Sequence, residues 1–215
     1  MSRYSKRMKT LRFLSWDSNA EEQSVIDAVV TKAAKLKLSL DTPELQTVGE
    51  LRAALLEPAQ VTILSAHGGW YPKSKTDGEH EWRIFGRKGV PALTIEELLL
   101  PGDILGADVL ILATCHGEAE LWRRHLRPGA VAISRLGTLR HSATKHLISG
   151  FLCEFGKIGF SGPGGVEAAW KTSSDAAAKR APSLRGSDYA FAYAELEGSG
   201  ERPRVELGAE LAQLI

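Results

Sequence analysis

The segment that decides the fold reads VLILATCHG and covers residues 109–117. Its first five residues are all apolar, which is typical of a strand buried on both faces of a parallel sheet. Its last four residues are small or polar and end in a glycine, so we expect the strand to stop just before Cys115. The segment therefore predicts a buried strand that carries a cysteine immediately beyond its carboxyl end.

A second segment of the same form lies earlier in the chain. Residues 61–65 read VTILS, a short apolar run rich in β-branched residues, and His67 and Gly68 follow after one alanine. In open parallel sheets, functional groups gather in the crevice outside the carboxyl ends of the strands. If the two strands are neighbours, His67 and Cys115 are expected to approach each other there.

Helical patterns alternate with these strands. Helices are expected over residues 21–38, 48–56, 95–100, 118–125, 142–155 and 166–179, strands over 11–16, 61–65, 109–113, 130–134 and 189–196, and a hairpin around 82–85. The alternation predicts an α/β fold with a mostly parallel central sheet and helices on both faces. The chain has 215 residues. We expect a flexible basic tail over residues 1–10 and a single domain over 11–215.

Composition narrows the possible partners. The chain has 27 Lys and Arg against 26 Asp and Glu, a net charge of +1, so nothing in the charge favours a nucleic acid or an anionic membrane as the partner. No apolar stretch reaches the roughly 18–20 residues that a membrane span needs, and the N-terminus shows no secretory leader. Two cysteines cannot build a disulfide framework, which favours a cytoplasmic location.

A cysteine and a histidine at adjacent strand ends are the components of thiol catalysis. The nucleophile needs a base to take its proton, and the oxyanion needs hydrogen-bond donors. Gly68 has no side chain to obstruct its N–H, and the N–H of Cys115 is a second candidate donor. The N-terminus of the helix that follows Cys115 would also favour a thiolate there.

These two strand-end motifs, His-Gly and Cys-x-Gly, resemble those of the caspase-type peptidases, a group that includes caspases, metacaspases and the bacterial CHAT-domain proteases. The motifs are 48 positions apart, from 67 to 115, close to the roughly 50 typical of caspases. The chain is most similar to the CHAT branch. Residues 129–134 resemble that family's strand after the nucleophile helix, and residues 166–170 and 189–194 resemble its closing helix and aromatic strand.

The resemblance implies a caspase-like three-layer sandwich without a cofactor, acting on a protein or peptide substrate. It implies Cys115 as nucleophile, His67 as acid/base, and the N–H groups of Gly68 and Cys115 as the oxyanion hole. Residues 113–114 are Ala-Thr, where caspases have Gln-Ala and metacaspases have Asp-Ser. The Gln or Asp that helps to shape the S1 pocket in those families is therefore absent from this position. The family also places pocket residues after its first strand. Asp17 would favour Arg or Lys at P1 from that position.

Several residues have a structural interpretation as well. Asp17 fits a turn or helix-capping residue, and His116 would either orient a substrate or begin the following helix. Cys153 lies among apolar helical residues and is interpreted as core. The remaining histidines, at 80, 125, 141 and 146, are expected at the surface.

The motifs do not support a metal site or a phosphate-binding loop. Adjacent Cys115 and His116 have poor spacing for two ligands of one metal, and no CxxC or HExxH motif accompanies them, so no metal site is expected. The glycine-rich residues 161–165 lack the Gly-Lys-Ser/Thr of a phosphate loop and are interpreted as a turn.

We therefore predict an intracellular cysteine endopeptidase. Self-cleavage, within residues 72–81 or near residues 179–180, and a regulatory partner protein are both compatible with the sequence. The alternative is a catalytically silent caspase-like module that binds a partner in a signalling or defence assembly. A small-molecule hydrolase or transferase on the same fold is a third hypothesis, because a fold does not determine a substrate.

Overall fold

The computed structural model describes residues 10–16, 20–73, 78–86, 88–136, 141–158, 162–181 and 189–194. The strands are β1 (Thr10–Ser15), β2 (Ser39–Asp41), β3 (Ala59–Ser65), β4 (His67–Pro72), β5 (His80–Phe85), β6 (Ala107–Ala113), β7 (Val131–Arg135) and β8 (Tyr189–Tyr193). The helices are α1 (Ala20–Leu36), α2 (Val48–Leu56), α3 (Ile95–Leu98), α4 (Ala119–Trp122), α5 (His141–Ile158) and α6 (Pro163–Arg180), with a 3₁₀ turn at Arg123–His125.

Six strands form one sheet in the order β2-β1-β3-β6-β7-β8, and β4 pairs with β5 as a separate hairpin. All neighbours in the large sheet are parallel except the pair β7 and β8. Strands β3 and β6 are adjacent, and their register runs from Ala59 opposite Ala107 to Ser65 opposite Ala113. The two strands therefore end level with each other.

Alternate residues of each central strand enter two separate cores. In β6, Val109 and Ile111 pack in the cluster that contains α1, α5 and α6. Leu110 and Leu112 pack in the cluster that contains α2, α3, α4 and the buried face of the hairpin. Residues of both faces are almost fully buried, which explains the continuous apolar run. The prediction of an α/β fold with a mostly parallel sheet and helices is confirmed.

The predicted helices and strands differ from the observed ones mainly in the residues at which they begin and end. Helix α2 has the predicted bounds, stabilised by a reciprocal capping box between Thr47 and Glu50. Helix α6 begins at Pro163, inside the predicted turn, because Gly162 adopts φ 89° and proline suits the first helical position. Strand β1 begins at Thr10, so the predicted tail boundary at residue 10 is one residue too late, and residues 1–9 lie outside the described ranges.

The sequence analysis missed β2. The strand has three residues, none of them fully buried, so it carries no apolar alternation to detect. Arg12 of the neighbouring strand β1 stabilises β2, and only 5% of its surface is exposed. Arg12 donates to the carboxylates of Asp41 and Glu57 (2.7 Å each) and to the backbone carbonyl of Ala54 (3.0 Å). Among the described helices, none is long and apolar enough to cross a membrane.

The carboxylate of Asp103, shortly before β6, is expected to make the stability of the fold depend on pH. Arg52 donates to Asp103 in a bidentate pair (2.6 and 2.9 Å), and the N–H of Leu100 donates to the same carboxylate. These bonds lower the pKa of Asp103 to about 2. The folded state therefore binds fewer protons at this group than the unfolded state, so its contribution is present above about pH 4 and lost as pH falls towards about 2.

We expect Asp103→Asn to lower the free energy of unfolding at about pH 7, and the difference from wild type to shrink as pH falls below about 4. Urea unfolding of both proteins across that range measures it. Asp175→Asn, an exposed position on α6, is the matched control and should leave stability unchanged. A difference that is constant with pH would contradict the assignment.

Candidate active site

His67 is the first residue of β4 and follows β3 after a single alanine. Its partner across the hairpin is Phe85, whose ring is stacked on the imidazole with centroids 5.3 Å apart and planes 23° apart. Tyr71 packs edge-on against Phe85, with the two ring centroids 5.5 Å apart. The imidazole therefore lies on a supported hairpin strand, and Phe85 restricts its orientation.

Gly68 lies against the loop that carries Cys115. A Cβ atom at Gly68 would be 2.6 Å from the carbonyl oxygen of Cys115 and 2.7 Å from Cζ2 of the buried Trp82. Only glycine allows the hairpin to approach the cysteine loop this closely. The structure thus brings the backbone segments of the predicted pair, His67-Gly68 and Cys115, into contact.

The N–H of Gly68 takes no part in the hydrogen bonds that join β4 to β5. Its partner across the hairpin, Ile84, exchanges both backbone hydrogen bonds with Leu93 on the opposite side, at 2.8 Å each. The N–H and C=O of one strand residue point the same way, so Gly68 and Ile84 form a non-hydrogen-bonded pair. The N–H of Gly68 therefore points away from β5.

Cys115 lies in an irregular loop between β6 and α4, and its side chain is partly buried. The next residue, His116, is exposed and has φ 48°. This left-handed conformation costs a non-glycine residue about 1–3 kcal/mol, and such strain is concentrated at functional sites. The loop is therefore held in a shape that its local sequence does not favour.

The prediction that a helix N-terminus favours a thiolate at Cys115 is wrong. Helix α4 begins at Ala119, four residues beyond the cysteine, and has only four residues before the 3₁₀ turn. The field of a helix terminus acts only near its first turn. His116 likewise does not begin the helix, so its structural interpretation is also wrong. The residue lies on the exposed loop instead.

Ser134, at the end of β7, holds the cysteine loop in place. Its hydroxyl donates to the carbonyl of Gly117 (2.9 Å) and accepts from the N–H of Ala119 (3.1 Å). The N–H of Gly117 donates to the carbonyl of Arg135 (3.0 Å). Ser134 is 1% exposed. The sequence analysis missed this role, although a polar residue at the end of an apolar strand was a usable signal.

We expect Ser134→Ala to lower the free energy of unfolding by about 2 kcal/mol, because it leaves two buried backbone groups without their partner. Chemical denaturation measures the change. Ser173→Ala is the control. This buried hydroxyl donates to the carbonyl of Ala169 four residues earlier in α6, a carbonyl that keeps its helical hydrogen bond, so little change is expected. Equal losses in both variants would contradict the role of Ser134.

Glu118 is a second residue that the sequence analysis missed. It occupies the N-cap position of α4 without making a capping bond. Burial raises the pKa of its carboxyl, and the nearby His116 opposes this effect. A titratable group with a raised pKa therefore lies three residues from Cys115.

The other predicted residues have mixed outcomes. Asp17 lies outside the described residues. His125 is 3% exposed, with Nδ1 2.9 Å from the carbonyl oxygen of Asp103, so its predicted surface position is wrong, because the 3₁₀ turn directs it inward. His80 is exposed as expected. His146 is only partly buried, so its predicted surface position is wrong in part, and the side chain of His141 lies outside the described residues.

Cys153 is only partly buried and accepts a hydrogen bond from Lys32. Its interpretation as core is therefore wrong in part. Within the described ranges, no three His, Cys, Asp or Glu side chains form a group that could hold a metal ion.

Comparison of the chain with models of protein families and with curated protein sequences finds no match. The geometry of the strand ends and the motifs that they carry are therefore the basis for inferring a function.

Proposed function

We propose that the protein is a caspase-like cysteine endopeptidase with Cys115 as nucleophile and His67 as acid/base. One observation carries the proposal. The two residues follow neighbouring parallel strands that end level, and Gly68 packs against the carbonyl of Cys115. A thiol and an imidazole carried at the ends of two neighbouring strands are the minimum requirement for thiol acyl transfer. The proposed substrate is a protein or peptide, and the cysteine content favours the cytoplasm.

The reaction begins as His67 takes the proton of the Cys115 thiol and the sulfur attacks the scissile carbonyl carbon, which forms a C–S bond and an oxyanion. The N–H of Gly68, which points away from the hairpin, and the N–H of Cys115 donate to that oxyanion. His67 gives a proton to the leaving amine as the C–N bond breaks. His67 then takes a proton from water as the water oxygen attacks the acyl-thioester carbon. The C–S bond breaks, the new carboxylate is released, and His67 returns the proton to the Cys115 sulfur.

The sheet supports the caspase-like sandwich that the proposal includes. Helices pack on both faces of a mostly parallel sheet, and the candidate residues lie at one edge of it. Ala113 and Thr114 are both buried. Their side chains are therefore unsuited to the specificity role that the matching positions have in caspases and metacaspases, and specificity would come from other residues.

The two proposed self-cleavage segments differ in their conformation. Lys179 and Arg180 form the last turn of α6, and a peptidase that binds an extended chain would have to unwind that turn. The segment between β4 and β5 joins two strand ends, and its residues 74–77 lie outside the described ranges. The helical conformation therefore makes self-cleavage near residues 179–180 the less favourable of the two.

Digestion of a proteome-derived peptide library with the purified full chain tests the proposal. We expect new peptide termini that share a sequence preference around the cleaved bond, identified by mass spectrometry. A preference for Arg or Lys at P1 would support the proposed role of Asp17, and a preference for acidic or apolar residues would remove it. If the wild-type protein generates no termini beyond those of the untreated library, the peptidase proposal fails and the catalytically silent, partner-binding module replaces it.

A further inference from the structure

A second nucleophilic pair lies where α1 packs on α5, on the face of the sheet opposite the hairpin. Nζ of Lys32 is 3.0 Å from Sγ of Cys153, and both side chains are partly buried. The two residues are 121 positions apart in sequence. The amine and the sulfur therefore meet only because the two helices pack together.

The charges around this pair distinguish Lys32 from Lys157, a lysine on the same helix as Cys153. Lys157, one turn further along α5, donates to Glu154 at 2.7 Å. That bond, the charge of Glu154 and a smaller effect of Cys153 raise the pKa of Lys157. The ammonium of Lys157 is thus held by a carboxylate, whereas the hydrogen bond of Lys32 goes to the sulfur.

The helices hold the pair at this distance. Gly156 lies three residues beyond Cys153 on α5, and a Cβ atom there would be 3.4 Å from Cδ1 of Leu36, one turn beyond Lys32 on α1. The backbone of α5 at Gly156 is therefore packed against the side chain of Leu36 next to the pair. Small rotations of two side chains, without movement of the helices, are enough to bring nitrogen and sulfur together.

We propose that Cys153 and Lys32 form an oxidative modification site, at which a peroxide converts the pair into a reversible sulfenamide crosslink between α1 and α5. The contact between Nζ and Sγ favours this chemistry, because the amine already lies next to the sulfur that a peroxide would oxidise. The proposal is independent of the peptidase function, since neither residue belongs to the candidate active site.

The chemistry proceeds in two balanced steps. The sulfur attacks one peroxide oxygen, so an S–O bond forms, the O–O bond breaks, and water leaves a sulfenic acid behind. The neutral amine of Lys32 then attacks that sulfur, so an S–N bond forms, the S–O bond breaks, and the departing oxygen leaves as water. Two equivalents of an added thiol reverse the link and return Cys153, the amine and a disulfide.

Mass spectrometry of the full chain carrying Cys115→Ser tests the proposal, because Cys153 is then the sole thiol. After treatment with hydrogen peroxide we expect a mass loss of about 2 Da, a crosslinked pair of peptides that contain residues 32 and 153, and full reversal by dithiothreitol. A gain of about 14 Da would show oxygen retained between nitrogen and sulfur and would overturn the direct S–N bond.

Two lysine variants separate this site from general oxidation. Lys32→Arg keeps the charge but removes the nucleophilic amine, so oxidation should stop at a sulfenic acid that dimedone traps. Lys157→Arg should still form the crosslink. The proposal is overturned if Lys32→Arg shows the same loss of mass, or if the parent chain only adds oxygen atoms.

Discussion

Cys115→Ala is expected to reduce kcat for peptide cleavage by at least about a thousandfold, because it removes the proposed nucleophile. His67→Ala should lower kcat by about a hundredfold to ten-thousandfold, since the thiol remains but the leaving amine receives no proton. Kinetics with the best peptide from the library measure both effects. A thiol-directed activity probe gives a second readout, with labelling lost in Cys115→Ala and slowed in His67→Ala.

Cys153→Ala is the matched control, because it removes the other cysteine of the chain at a position on the opposite face of the sheet from the hairpin. It should retain full cleavage and full labelling by the probe. Cleavage that persists in Cys115→Ala, or that is lost equally in Cys153→Ala, would contradict the assignment of the nucleophile.

Gly68→Ala is expected to lower the free energy of unfolding by about 3 kcal/mol and to abolish cleavage. The added methyl group would overlap the carbonyl oxygen of Cys115 and the ring of Trp82. Trp82 is 2% exposed and packed in the core, so it cannot move aside easily. The hairpin must instead separate from the cysteine loop, which displaces His67 and the N–H of Gly68 together.

The neighbouring Gly69→Ala is the control for this variant. A Cβ atom at Gly69 would be 3.6 Å from Tyr71 and 3.8 Å from Phe85, which are ordinary contact distances. We expect almost unchanged stability, measured by denaturant unfolding, and retained cleavage. If Gly68→Ala is as stable and as active as Gly69→Ala, the hairpin and the loop do not touch as the structure describes.

Much of the sheet could be predicted because burial on both faces leaves a direct mark on a strand. Residues 61–65 and 109–113 are apolar with almost no interruption, and both lie in the central strands β3 and β6. The apolar runs also locate the strand ends, so they predict which edge carries His67 and Cys115. Strand β2 was missed because it is short and lies at the edge of the sheet.

The details of the candidate site could not be predicted in the same way. Whether the N–H of Gly68 is available depends on the pairing of Ile84 with Leu93, a bridge outside the hairpin itself. The support of the cysteine loop depends on Ser134, which belongs to another strand. Neither contact leaves a periodic pattern, because each involves a single residue.

The sequence by itself determined which segments are buried and which residues end them, because the hydrophobic effect acts on every residue of a strand and accumulates along it. Only the tertiary structure decided that β3 and β6 are neighbours, that Gly68 meets the carbonyl of Cys115, and that Lys32 lies beside Cys153. Such contacts join residues far apart in the chain. They depend on directional bonds and close packing, which exist only once the helices and strands have assembled.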